Sequence, residues 1–141
     1  VVIGPFFQKR LIESIKKISS KSTHNIELIN APDDLAQLIK NCDLAISTSG
    51  LTKYELLSLG TPAVILPHDK EHQSLNHPLK TTGAIIEIPL ESSEEYLRDE
   101  IESIMLNKSK RKKMSIKGRL LVDGKGVDRI LNSVENYISS K

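Results

Sequence analysis

The chain carries a single cysteine, Cys42. That excludes an internal disulfide and any zinc site built on several thiolates. It also suits a reducing compartment, so a cytoplasmic location is expected. No apolar stretch approaches the roughly 20 residues that span a bilayer, and no secretory leader pattern is present. Net charge is scarce too. The 20 Lys and Arg against 18 Asp and Glu leave +2, too small a surplus to point to nucleic acid. The basic residues are dispersed except in "KSKRKK", Lys108 to Lys113, which reads as a solvated helix face or loop rather than a phosphate or membrane patch. Repeats, low-complexity tracts and long linkers are absent. So is a leading Met: the opening "VVIGP" reads as the middle or end of a strand, and the chain is expected to begin inside a longer protein.

What remains is one domain's worth of chain. Its 141 residues are 38% hydrophobic and 27% charged, long enough for a real core. Short apolar runs alternate with helical stripes. "VVIG", "HNIELI", "DLAIS", "PAVILP" and "AIIEI" read as strands. Between them, "FQKRLIESIKKIS" places Phe7, Leu11, Ile15 and Ile18 on one helical face. "PDDLAQLIKNC" reads as a helix opening at Pro32 or Asp33, and "LTKYELLSL" as one closed by Gly60. "EHQSLNHPLKTTG" suits a short helix broken near Pro78. Three more helical patterns fill most of residues 93–139. Strands alternating with short helices predict an α/β fold: a Rossmann-like, doubly wound parallel sheet of about five strands. Ligands of such sheets bind beyond the carboxyl ends of the strands. That makes Gly4-Pro5, Asn30 to Pro32, Ser47 to Thr52 and Pro67 to Gln73 suspects, expected to share one edge.

The stretch "STSGLTKYELLSLGTP", Ser47 to Pro62, places Ser, Thr, Ser and Gly between a strand end and a helix start. The first N–H groups of a helix lack backbone partners, and the helix dipole is positive there. Gly50 would let a ligand approach the backbone, which makes an anion site suited to a diphosphate. Glu55, one turn on, could accept bonds from ribose hydroxyls. On spacing alone a plain capping box is the stronger fit: Thr52 as N-cap with Glu55 reaching back to it, or Ser49 as the cap. His68, His72 and His77 invite a metal reading, but no cysteine joins them and "DKEH" suits a helix start, so no metal is expected. Asp33 and Asp34 read as acids opposing a helix dipole rather than as a catalytic pair. Tyr54 and Leu56 read as packing residues.

"SGLTKYELLSLGTPAVILPHDKEHQSLN" resembles the nucleotide-sugar-binding segment in the C-terminal domain of GT-B glycosyltransferases. The pattern is similar to that of the N-acetylglucosaminyl transferases that complete the peptidoglycan precursor, matched at Ser49, Gly50, Thr52, Glu55, Gly60, Pro62, Gln73 and Asn76. The ending "LVDGKGVDRIL", through Asp123, Gly124, Gly126 and Arg129, resembles that of UDP-sugar hydrolases of the pseudaminic acid pathway and the related spore-coat polysaccharide proteins. The resemblance covers roughly residues 1–135 and implies one half of a GT-B two-domain fold. It implies that residues 1–141 are a C-terminal nucleotide-sugar-binding domain lacking its first strand and glycine-rich loop. Ala31, Pro32, Ser49, Gly50, Leu51, Thr52 and Glu55 would hold the nucleotide, UDP by preference, and His72, Gln73 and Asn76 the sugar. His72 departs from the pattern, standing where relatives vary widely.

The same resemblance implies a glycosyltransferase or UDP-sugar hydrolase of cell-surface polysaccharide biosynthesis. Catalytic residues would lie in an N-terminal domain of the same chain, and none is assigned here. No cofactor and no nucleic-acid partner is implied, and any membrane association would come through that N-terminal domain. The last helix is expected to be structural, entered by a turn at Asp123-Gly124, with Arg129 away from nucleotide. Two other classes stand beside this one. A non-catalytic sensor of the phospho-receiver kind would want an Asp where "DLAISTSG" has hydroxyls. A sugar-nucleotide epimerase would need carboxylates from elsewhere.

Overall fold

The computed structural model describes residues 1–140. It divides into two compact units, Val1–Leu35 and the chain from Ala36 onward.

The first unit contains β1 (Val2–Ile3), α1 (Lys9–Ser19) and β2 (Ile29–Asn30). The strands are parallel, with Val2 opposite Ile29 and Ile3 opposite Asn30. The strand expected from "HNIELI" shrinks to two residues because Gly4-Pro5 ends its partner, and proline has no N–H to extend a ladder. Ile3 is buried. The stripe on α1 is strongly amphipathic, yet no residue of that helix is buried. Just past β2, Ala31 donates its N–H to the Ile3 carbonyl at 2.8 Å and adopts φ 38°. That is the left-handed region, which costs an L-residue about 1–2 kcal/mol.

Next in sequence comes α2 (Leu35–Lys40). It starts later than expected, so Asp33 and Asp34 precede it rather than occupying its first turn. Then follow β3 (Ala45–Thr48), α3 (Thr52–Leu59), β4 (Ala63–Leu66), α4 (Lys70–Thr82), β5 (Ile85–Glu87), α5 (Glu94–Leu106), α6 (Lys108–Leu121) and α7 (Gly126–Ser139). The order β3-β4-β5 is parallel. The five expected strands are therefore present in a Rossmann-like α/β arrangement, but hydrogen-bonded as a two-stranded and a three-stranded sheet rather than one.

The core follows from the run "AVIL". Ala63, Val64 and Ile65 lose all solvent exposure, as a parallel strand covered on both faces must. Leu56 and Leu57 of α3, Ile104 of α5 and Met114 of α6 join them in the core. Gly118 of α6 lies so near α3 that a Cβ there would sit 3.0 Å from the Leu57 carbonyl oxygen. Gly60 ends α3 at φ 76°, and the Thr61 N–H returns to the Leu56 carbonyl at 2.8 Å.

Helix α4 corrects one expectation by running unbroken through Pro78. The proline denies the Ser74 carbonyl its usual N–H, but both residues are exposed, so water can serve instead. The turn into α7 forms as expected. Asp123 accepts from the Lys125 N–H at 3.0 Å and from both Arg129 guanidinium nitrogens at 2.8 and 3.0 Å. Those bonds, that of Arg129 foremost, hold the Asp123 carboxyl far below its ordinary range and raise Arg129. No residue of α7 is buried. Among the described residues, no helix is long and apolar enough to cross a membrane.

Candidate functional site

Strands β3 and β4 are parallel neighbours with Thr48 opposite Leu66. Their carboxyl ends are therefore level, and Ser49 to Thr52 and Pro67 to Gln73 leave the sheet from the same edge. Past β3 the chain turns into α3 without a side-chain cap. Leu51, at the N-cap position, already has helical dihedrals (φ −64°, ψ −28°), and no side chain caps the helix. The capping box expected as one alternative at Thr52 is absent, because the helical path starts earlier than that box needs. The first turn closes with Lys53 N–H to the Gly50 carbonyl at 3.4 Å and Tyr54 N–H to the Leu51 carbonyl at 2.9 Å. The N–H groups of Gly50, Leu51 and Thr52 precede these bonds and enter none of the described ones. Nothing lies within 4 Å of where a Gly50 Cβ would be. Leu51 is 80% exposed. Glu55 is exposed one turn on, and its carboxylate enters no described hydrogen bond. The result is an open, uncapped helix start with a carboxylate one turn behind it.

Beneath this surface lies a network that the sequence reading missed. Ser49 is only 4% exposed, and its Oγ accepts from Asn76 Nδ2 at 2.8 Å. The same amide nitrogen donates to Glu87 Oε2 at 2.8 Å. Asn76 Oδ1 accepts from the Lys53 ammonium at 2.7 Å. Lys80 completes the set with an ion pair to Glu87 Oε1 at 3.3 Å. Lys53, Asn76 and Glu87 are 2%, 0% and 5% exposed. Burial pushes the Lys53 ammonium's pKa down, with Glu87 opposing that shift. The ammonium also lies 5.1 Å from the centroid of the Tyr54 ring. A signal existed in the sequence. Lys53 stands on the stripe with Leu56 and Leu57, and Glu87 follows Ile85 at strand spacing. Opposite charges at two core positions mark a buried polar link.

The three residues assigned to a sugar fall into different surroundings, although all lie on α4. His72 is tied to Asp69: its N–H and its ring Nδ1 both reach Asp69 Oδ1 at 2.8 Å. These bonds, the backbone one first, lower the Asp69 carboxyl's pKa. His68 meets the His72 ring edge-on at 5.4 Å between centroids. Among the described residues, no three His, Cys, Asp or Glu side chains are placed to hold a metal ion. Gln73, with Lys70, His77 and Lys80, lines an open cavity of about 410 Å³. Asn76 turns inward and is engaged through both side-chain polar atoms, so in this structure it offers no surface to a ligand. Leu56 is buried as expected of a packing residue, while Tyr54 is 40% exposed. Ala31, assigned to the base, is exposed and Pro32 half-buried in the first unit.

Residues 6–129 match the family model described as the glycosyltransferase family 28 C-terminal domain. The chain is 29% identical over 106 residues to the spore coat polysaccharide biosynthesis protein SpsG of Bacillus subtilis, covering 74% of this chain and 31% of that protein. It is 40% identical over 67 residues to the uncharacterized protein MJ1062 of Methanocaldococcus jannaschii, covering 47% of this chain and 14% of that one. The chain thus spans under a third of the length of these curated relatives. Among solved structures, the crystal structure of Acinetobacter baumannii MurG superposes with a TM-score of 0.65 at 21% identity, over 85% of this chain and 37% of that one.

Proposed function

The chain belongs to the glycosyltransferase family 28 C-terminal domain family, and we propose that it binds the nucleotide part of a nucleotide-sugar, UDP by preference, as the C-terminal half of a longer enzyme. The observation that carries this reading is the uncapped start of α3. An exposed glycine, N–H groups without described partners and the positive end of a helix dipole form a cradle for a diphosphate. Ser49, Gly50, Leu51 and Thr52 face the phosphates with backbone, and Glu55 receives the ribose hydroxyls. The family resemblance alone assigns the base to Ala31 and Pro32 of the first unit. His72 and Gln73 lie toward the sugar, whereas Asn76 acts from inside by holding Ser49.

In this reading the domain's contribution to reaction is electrostatic. The helix start stabilises negative charge on the departing diphosphate, and the ribose contact fixes the donor's orientation. The groups that move protons belong to an N-terminal domain of the same chain. The name of SpsG, a spore coat polysaccharide biosynthesis protein, supports a polysaccharide pathway, and without a capping box the Glu55 carboxylate is available to a ribose.

The test uses Glu55→Gln in the full-length chain, with UDP and 2′-deoxy-UDP compared by titration calorimetry. Losing one charge-assisted bond costs about 1.5–3 kcal/mol, or roughly tenfold to a hundredfold in affinity. The wild type should prefer UDP to the deoxy analogue, and the variant should lose both affinity and preference. Equal affinities in both proteins, with no 2′-hydroxyl preference, would overturn the reading.

A further inference from the structure

Lys53 is in the wrong place for stability twice over. Its ammonium is buried, and a buried charge costs more than a well-packed apolar side chain of the same volume. It also stands in the first turn of α3, where the helix dipole disfavours a cation. The burial shows in its acidity, since desolvation is the leading cause of its lowered pKa. A local rule broken in this way tends to mark a functional site.

The network also has a sign. Its members are Lys53, neutral Asn76 and Ser49, Glu87, and the half-exposed Lys80. Lys80 answers Glu87 at 3.3 Å, while Lys53 bonds neutral Asn76 at 2.7 Å. One positive charge is therefore left over, and it lies two hydrogen bonds from Ser49, the residue before Gly50. The same links tie the first turn of α3 to α4 and β5.

We infer that Lys53, with Asn76 and Glu87, is the charged floor of the diphosphate cradle: it supplies positive potential from below and, through Asn76, fixes Ser49 so that the Gly50 to Thr52 amides face the ligand. This rests on the nucleotide reading above. Lys53 is a positioning residue, since it is buried and reaches the cradle only through Asn76 and Ser49. Its effect falls on the phosphates, and uridine, which lacks them, serves as the internal control.

The experiment measures UDP and uridine affinity in the full-length chain for wild type, Lys53→Met and Glu87→Gln, alongside thermal unfolding. Lys53→Met keeps the bulk and removes the charge. It should weaken UDP about tenfold and leave uridine within about twofold, without a matching loss of stability. Glu87→Gln removes the network's one anion and should tighten UDP by about threefold while leaving uridine alone. Opposite signs from two neighbours cannot come from general loosening. An unchanged ratio of UDP to uridine affinity in Lys53→Met overturns the inference. If that variant does not fold, failure of Glu87→Gln to raise the ratio overturns it instead. A wild type that binds UDP no better than uridine removes the diphosphate site itself, a different failure that sinks the nucleotide reading as well.

Discussion

Helices α3 and α7 invert the usual relation between pattern and burial. The final helix, α7, has a clear apolar face in Val127, Ile130, Val134 and Tyr137, and every one of these is exposed. In contrast, α3 has almost no amphipathic contrast, yet it buries Lys53, Leu56 and Leu57. A helix that sits against β3, β4 and α6 needs apolar surface on several sides and can tolerate a polar residue only where a partner meets it. An apolar stripe by itself names a face and not what covers it. In α3, burial is decided by neighbours that arrive from distant parts of the chain.

This contrast can be broken in order of expected effect. We predict the largest loss from Asn76→Leu, which fills the volume but leaves the buried Lys53 ammonium without its hydrogen-bond acceptor and Glu87 with Lys80 as its remaining partner. Breaking a buried charged link costs about 3–5 kcal/mol, readable as a fall in the urea midpoint. Gln73→Ala, on the same helix but at the surface of an open cavity, should stay within about 0.5 kcal/mol. Similar losses from the two would mean that the buried network carries no special weight.

Gly118→Ala comes second. The new methyl would sit 3.0 Å from Leu57 Cδ2 and from the Leu57 carbonyl oxygen. The carbonyl is backbone, which cannot swing aside, so α3 and α6 must separate. Overpacking of that kind costs about 1–3 kcal/mol. A variant as stable as wild type would show that the two helices slide freely.

On α7 the expectation reverses. Ile130→Gln removes an apolar side chain that is already solvated, so the unfolding free energy should change by no more than about 0.5 kcal/mol. A loss comparable to that of Gly118→Ala would show that the exposed face is covered in solution.

The smallest effect is a pH dependence at the entrance to α7. The Asp123 carboxyl titrates below its ordinary range because Arg129 and the Lys125 N–H bind the ionised form. A depressed folded value means that the stabilisation is present above the unfolded value of about 3.9 and is lost as the pH falls through the folded one. The group is well solvated, so the change should be confined to the first turn of α7. Protection from amide exchange at Gly126 to Arg129, taken relative to the intrinsic rate at each pH, should fall below about pH 4 in wild type, and Asp123→Asn should show lower protection already at neutral pH with little further change on acidification. Parallel pH profiles in the two proteins would remove the Asp123–Arg129 clamp from the account.

Most of the fold was legible in order. The run "PAVILP", the Gly60 stop and the final three helical patterns all became the elements their periodicity implies, because each is a local property of a few consecutive residues. Strand length in the first unit was not legible, since a ladder is only as long as its partner, and Pro5 cuts that partner short. Nor was the continuity of α4 through Pro78, which depends on which side of the helix meets water.

The candidate site divides in the same way. By itself the sequence determined that hydroxyls, a glycine and a carboxylate would stand at the end of a strand and the start of a helix, because strand and helix periods place them there. It could not decide between a capping box and an open helix start. That choice rests on the backbone angles at Leu51, set by how α3 packs rather than by which residues open it. The inward turn of Asn76 was equally out of reach. The Asn76 amide faces the interior because Lys53 and Glu87, 23 and 11 residues away, are buried beside it. A buried charge must find its partner wherever the fold brings one, and only the tertiary structure decides where that is.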